Sequence, residues 1–179
     1  VERDLAPGEW AVLGLLSERP AHGWALTAEL GPTGELGSIW SIGRPVVYRS
    51  LDLLAARGLI EPAGREPGRR GPHRTVYRAT EAGRAAFERW LREPVRRVRD
   101  VRSLLLLKLV LGARSGVDPA AMLAAQRATL VAGVEALERR LAASAGTEAV
   151  LIRFRLESTR AVLRFLDGLR ERPELASAV

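Results

Sequence analysis

The chain has 179 residues, enough for one ordinary domain or two small ones, and its 47% apolar and 27% charged residues are a globular composition rather than a disordered one. Cysteine is absent, which excludes disulfides, thiolate catalysis and Cys-ligated metal centres. The net charge of +7 rests on 28 basic residues, of which only Lys108 is lysine; arginine suits a forked grip on phosphate, and a GC-rich coding bias enriches it equally.

Residues 9–17 place Val12, Leu13, Leu15 and Leu16 at the spacing of a short helix with a broad apolar face, and Pro20 ends it. A second short helix follows over 23–30, stopped by Gly31-Pro32, and a turn-rich connector leads to a third. That third helix opens with Pro45 in its first turn and ends at Gly58. Val47, Leu51, Leu54 and Ala55 are its predicted core face, with Arg49, Ser50, Asp52 and Arg57 outward. Its 13 or so residues span roughly 20 Å, a length that suits a major groove. Leu59-Ile60-Glu61 and residues 75–79 read as short strands. Between them, 62–74 is rich in Pro, Gly and Arg and reads as a loop. Three helices and a basic-tipped hairpin are the order of a winged helix-turn-helix.

A fourth helix is predicted from Thr80 to about Arg92, and Pro94 marks a hinge. The expected division is a DNA-binding domain over 1–93 and a helical dimerisation domain over 94–179, so the fold class is mainly α with a two-stranded wing. The second part reads as three helices: about 98–113, Asp118 to about Ala143, and Thr147 to Pro173. The last carries two apolar stripes. Leu151, Ile152, Phe154, Val162, Phe165 and Leu169 are taken from them as the dimerisation surface, because one neighbouring helix cannot cover so broad an apolar helix.

The apolar run Leu104–Leu107 is cut by Lys108, far short of the roughly 20 residues that span a bilayer. The start, Val1-Glu2-Arg3-Asp4, lacks the pattern of a secretory signal, so a cytoplasmic location is expected. Only His22 and His73 are available as imidazole bases, and no phosphate loop, dinucleotide fingerprint, nucleophile elbow or zinc-helix motif occurs. The chain therefore reads as no enzyme, without a metal or other cofactor.

The motifs resemble the PadR family of bacterial transcriptional regulators. The resemblance runs through 9–92 on Ala11-Val12-Leu13-Gly14-Leu15-Leu16, Pro20-Ala21-His22-Gly23-Trp24-Ala25-Leu26, Trp40, Val47-Tyr48-Arg49-Ser50-Leu51, Gly58-Leu59-Ile60 and Val76-Tyr77-Arg78-Ala79-Thr80-Glu81-Ala82-Gly83. The long C-terminal region is similar to the subgroup with a multi-helix dimerisation domain. Trp24, Pro45 and Arg49 depart from the family's commoner Tyr, Gly and Pro. The resemblance implies a homodimeric repressor of nearby genes, released in some members by a small molecule.

On that reading Ser41, Arg44, Pro45, Val46, Tyr48 and Arg49 face the DNA at the start of the recognition helix. The arginines fork onto guanine or phosphate and Val46 presses a thymine methyl, while Tyr48 has core packing beside Val47 as its alternative. Arg69, Arg70, His73 and Arg74 form the wing, against the plainer reading of a solvated loop. Residues 41–80 hold eight Arg against Asp52, Glu61 and Glu66, a net +5. A second basic run, Arg92, Arg96, Arg97, Arg99 and Arg102, reads as extra DNA contact or as a solvated face. Of four tryptophans most are expected in the core, and Trp10 and Trp90 are candidate walls for a small aromatic or drug-like effector. The expected partners are operator duplex, a second copy and such an effector, with no membrane. A protein-interaction adaptor on a winged-helix scaffold is the competing function.

Overall fold

The computed structural model describes residues 4–68 and 71–171. The chain divides into two compact units, Val1–Leu91 and Arg92–Val179.

The first unit opens with α1 (Pro7–Glu18), whose first turn is closed where the Glu9 carboxylate accepts the Ala6 N–H at 2.6 Å. Ala21–His22 form a two-residue strand, β1, that leads into α2 (Gly23–Glu29). His22 is the N-cap of α2: its Nδ1 accepts the Ala25 N–H at 3.0 Å. A single 3-10 turn, Leu36–Ser38, precedes α3 (Arg44–Ala56). Val47, Leu51 and Leu54 are buried on α3 as expected. Ala55 is exposed instead, and Ser50 is buried because its hydroxyl donates back to the Val46 carbonyl at 2.9 Å, which leaves no unpaired polar atom.

β2 (Ile60–Gly68) and β3 (Gly71–Ala79) are much longer than their apolar residues predict. Cross-strand pairing continues from Ile60↔Ala79 through Glu66↔Arg74 to Gly68↔Gly71, so most of the stretch read as a Pro/Gly loop is paired strand. Register shifts at Pro62/Gly64 and Glu66/Gly68 absorb Pro62 and Pro67 on this edge strand, where a missing N–H is tolerated. The sheet also has three strands, in the order β1-β3-β2, rather than the two expected. Two residues facing Tyr77 and Val76 leave no sequence alternation to read.

α4 (Glu81–Arg92) follows with Thr80 at its head, whose Oγ1 accepts the Gly83 N–H and donates to the Gly58 carbonyl. Gly83 lies so close to β2 that a Cβ there would stand 2.0 Å from the Leu59 carbonyl oxygen. Only glycine permits that approach.

The second unit is helical. A short α5 (Val98–Asp100), one π-helical turn (Val101–Leu105) and α6 (Leu106–Arg114) stand where one helix was expected. α7 (Ala120–Ala142) and α8 (Gly146–Glu171) form an antiparallel pair. Asp118 Oδ1 accepts the Ala120 N–H at the start of α7. Val101, Leu105, Leu109, Met122, Leu123, Leu130, Leu166 and Leu169 make the core of this unit. Three ion pairs, Arg127–Asp167, Arg160–Glu138 and Arg140–Glu148, tie α7 to α8 along their length. α7 is long and apolar enough to cross a membrane by length and composition alone, with 22% of that window buried; Met122, Leu123, Gln126 and Leu130 are buried on it, and these ion pairs hold it to α8.

Candidate nucleic-acid interface

Arg44 is the first residue of α3, after Gly43, and Pro45 occupies the turn where no N–H is required. Ser41, Arg44, Pro45 and Arg49 are exposed and Val46 is half-buried, so the start of the helix offers a polar outer face. Tyr48 is 39% exposed, which decides against core packing for its ring. The Arg44 guanidinium lies over that ring, 5.3 Å from its centroid.

Tyr48 is seated against the entry to α2. A Cβ on Gly23 would stand 2.8 Å from the ring, so the phenol fits only because residue 23 has no side chain. The next residue, Trp24, is 57% exposed. Trp40 is exposed too, at 36%, Trp10 is half-buried and only Trp90 is buried, which corrects the expectation that most of the tryptophans are core. The Trp24 indole carries the Arg74 guanidinium at 5.2 Å from the ring centroid. α3, α2 and β3 thus converge on one face, in the order Arg44, Tyr48, Gly23, Trp24, Arg74.

His22 adds a second tie between α2 and the hairpin, with Nε2 at 3.7 Å from Glu66 Oε2. Glu61 is taken up by Arg78 at 2.8 Å. The acids of the hairpin are therefore engaged with His22 and Arg78, while Arg44 and Arg74 make no ion pair among the described residues. His73 is exposed on β3. Arg69 and Arg70 lie outside the described residues. Among the described residues no cluster of His, Cys, Asp or Glu could hold a metal ion.

Residues 12–89 match the model of the family described as the Transcriptional regulator PadR-like family. Through this segment the chain is similar to the PadR-like family. The matched family is one of transcriptional regulators. Solved structures similar to this chain include Bacillus subtilis PadR in complex with operator DNA, at 19% identity and a TM-score of 0.46, covering 90% of this chain and 95% of that one. Bacillus subtilis PadR in complex with p-coumaric acid is 20% identical with a TM-score of 0.41, covering 94% and 96%. The protein smu.1604c from Streptococcus mutans UA159 is 15% identical with a TM-score of 0.44, covering 92% and 99%. No curated protein matches the chain.

The other predicted residues are dispersed. Trp10 and Trp90 stack on each other, with ring centroids 4.9 Å apart and planes 12° from parallel, and Phe87 extends the stack from Trp90. On α8 the expected dimerisation set splits. Ile152 and Leu169 are 1% and 7% exposed and belong to the inner face of their own unit, because the helical period turns them toward α7. Leu151, Phe154 and Phe165 are exposed, and Val162 is half-buried. An open groove of about 1060 Å³ runs along this outer face, lined by Val98, Val101, Leu105, Phe154, Val162 and Phe165. Arg97, Arg99 and Arg102 of the second basic run also line it, with Arg155.

Proposed function

We propose that the chain is a repressor that binds double-stranded operator DNA as a homodimer and leaves it when a small aromatic or drug-like molecule binds. The observation that carries the DNA half is the joined surface of α3, α2 and the hairpin, where Arg44, Tyr48 and Arg74 stand together with Arg49 exposed beside them on α3. In this reading Ser41, Arg44, Pro45, Val46, Tyr48 and Arg49 enter the major groove, and Arg69, Arg70, His73 and Arg74 follow the adjacent backbone. The net +5 of residues 41–80 supplies the sequence-independent attraction.

The dimer half rests on the outer face of α8. Phe154 and Phe165 stand near the two ends of an exposed stripe, and Ser158 and Ala161 lie midway, small enough for a second helix to approach. A two-fold axis at that level sets Phe154 of one copy beside Phe165 of the other, the self-complementary arrangement of an isologous contact. The domain division, with DNA binding over 1–93 and dimerisation over 94–179, is part of the same reading, and so are the absence of enzymatic activity and a cytoplasmic location. For the effector, the stacked Trp10–Trp90 pair offers an aromatic wall to a flat molecule.

Footprinting on the DNA upstream of the protein's own gene tests the reading. A protected palindrome with half-sites about one helical turn apart supports a two-fold repressor. Absence of salt-dependent duplex binding contradicts it and favours the protein-interaction adaptor. Quenching of tryptophan fluorescence by an aromatic acid, together with loss of the DNA complex, tests the effector.

A further inference from the structure

We propose that Trp24 is a positioning residue of the DNA interface: its indole holds the hairpin guanidinium of Arg74 as Tyr48 holds that of Arg44, so that the two arginines form one preset clamp on a phosphodiester strand. The inference rests on the DNA-binding reading above and assigns a role to a residue outside the predicted contacts. The Trp24 indole is 57% exposed rather than packed in the core, so its face is open to a surface cation. Here its face is covered by Arg74 at 5.2 Å, and the neighbouring phenol by Arg44 at 5.3 Å. A guanidinium stacked on a ring spends none of its five N–H donors, all of which lie in its own plane. Each arginine is therefore restrained and desolvated on one side while its fork stays available for phosphate.

The surroundings keep those forks free. Glu66 stands across the strand pair from Arg74, yet its carboxylate lies toward His22, with Oε2 3.7 Å from Nε2. His22 is itself fixed by capping α2, and its ring lies 6.3 Å from that of Trp24. Gly23, the one residue between them, gives Tyr48 its place. The clamp is thus built on the His22-Gly23-Trp24 segment, with one arginine arriving from α3 and the other from β3.

A double-mutant cycle on Trp24 and Arg74 tests this, read by fluorescence anisotropy of the full chain on a labelled 30-base-pair random-sequence duplex over a range of salt. Trp24→Ala is expected to weaken binding about three- to tenfold, and Trp24→Phe or Trp24→Tyr to recover most of the loss, because the π face carries the arginine. In an Arg74→Ala background Trp24→Ala should have little further effect, since both changes remove the same fork. Thermal midpoints within about 2 °C of the parent exclude an effect through folding. Additive losses, or Trp24→Ala binding like the parent, overturn the proposal while DNA binding stands. A parent chain with no salt-dependent duplex binding overturns both.

Discussion

Two single residues show how far composition reaches into chemistry. Gly23 carries no chemical signal in the sequence beyond following a cap, yet a Cβ there would meet the Tyr48 ring at 2.8 Å. Gly23→Ala is expected to displace that ring and the Arg44 seated on it. Chemical denaturation should show a loss of only about 0.5–1.5 kcal/mol, because the obstacle is a side chain that can rotate, while duplex affinity falls more than stability does. Lys108, the one lysine, is buried on α6, and burial pushes its ammonium down to about 8, with Glu93 pulling it the other way. The unfolded chain keeps the ordinary value of 10.5, so between about pH 8 and 10.5 the unfolded state binds more protons. Stability should therefore rise with pH across that window, and Lys108→Met should remove the rise; thermal midpoints of both proteins from pH 7.5 to 10.5 check it. The residue-level surprise is Trp24. Its exposure follows from cation–π seating across three elements, and a partner 50 positions away leaves no trace in local spacing.

At the level of elements, the helices were legible because apolar periodicity, Pro45 and Gly58 mark them without outside help. The strands were not. β2 and β3 gain most of their length from cross-strand pairing of polar, Pro- and Gly-containing stretches, and β1 is strand only because β3 lies beside it. The close passage of α4 over β2 is equally invisible in sequence, and Gly83→Ala should cost about 1–3 kcal/mol because backbone, not a side chain, must yield. Gln126 of α7 is fully buried: its Oε1 accepts the Val95 N–H at 2.5 Å and its Nε2 donates to the Val95 carbonyl at 3.1 Å. It closes both backbone groups of the segment leading to α5. Gln126→Leu keeps the volume and leaves both groups unpaired, so urea unfolding should lose about 1–3 kcal/mol for each. α8 shows the opposite limit, since its two stripes were seen but not which of them the unit keeps for itself; packing against α7 assigned Ile152 and Leu169 inward.

For the molecule as a whole, the charge excess became informative only once placed. The hairpin acids are engaged with His22 and Arg78, while Arg44 and Arg74 keep open forks on aromatic seats. Part of the remaining positive charge, Arg97, Arg99 and Arg102, lines the apolar groove of the second unit. The proposed dimer predicts that Phe154→Asp, a change at a residue 72% exposed in the single chain, halves the mass seen by light scattering without lowering the helix content of the unit. The central claim, that α3, α2 and the hairpin form one DNA-binding face, is tested most directly by the salt dependence of duplex binding for the parent and for Arg44→Ala. The account predicts a steep linear fall of log affinity with log salt in the parent, and a slope shallower by about 0.9 in the variant for the one lost phosphate contact. Parallel slopes of equal affinity, or no binding to duplex at low salt, would contradict it.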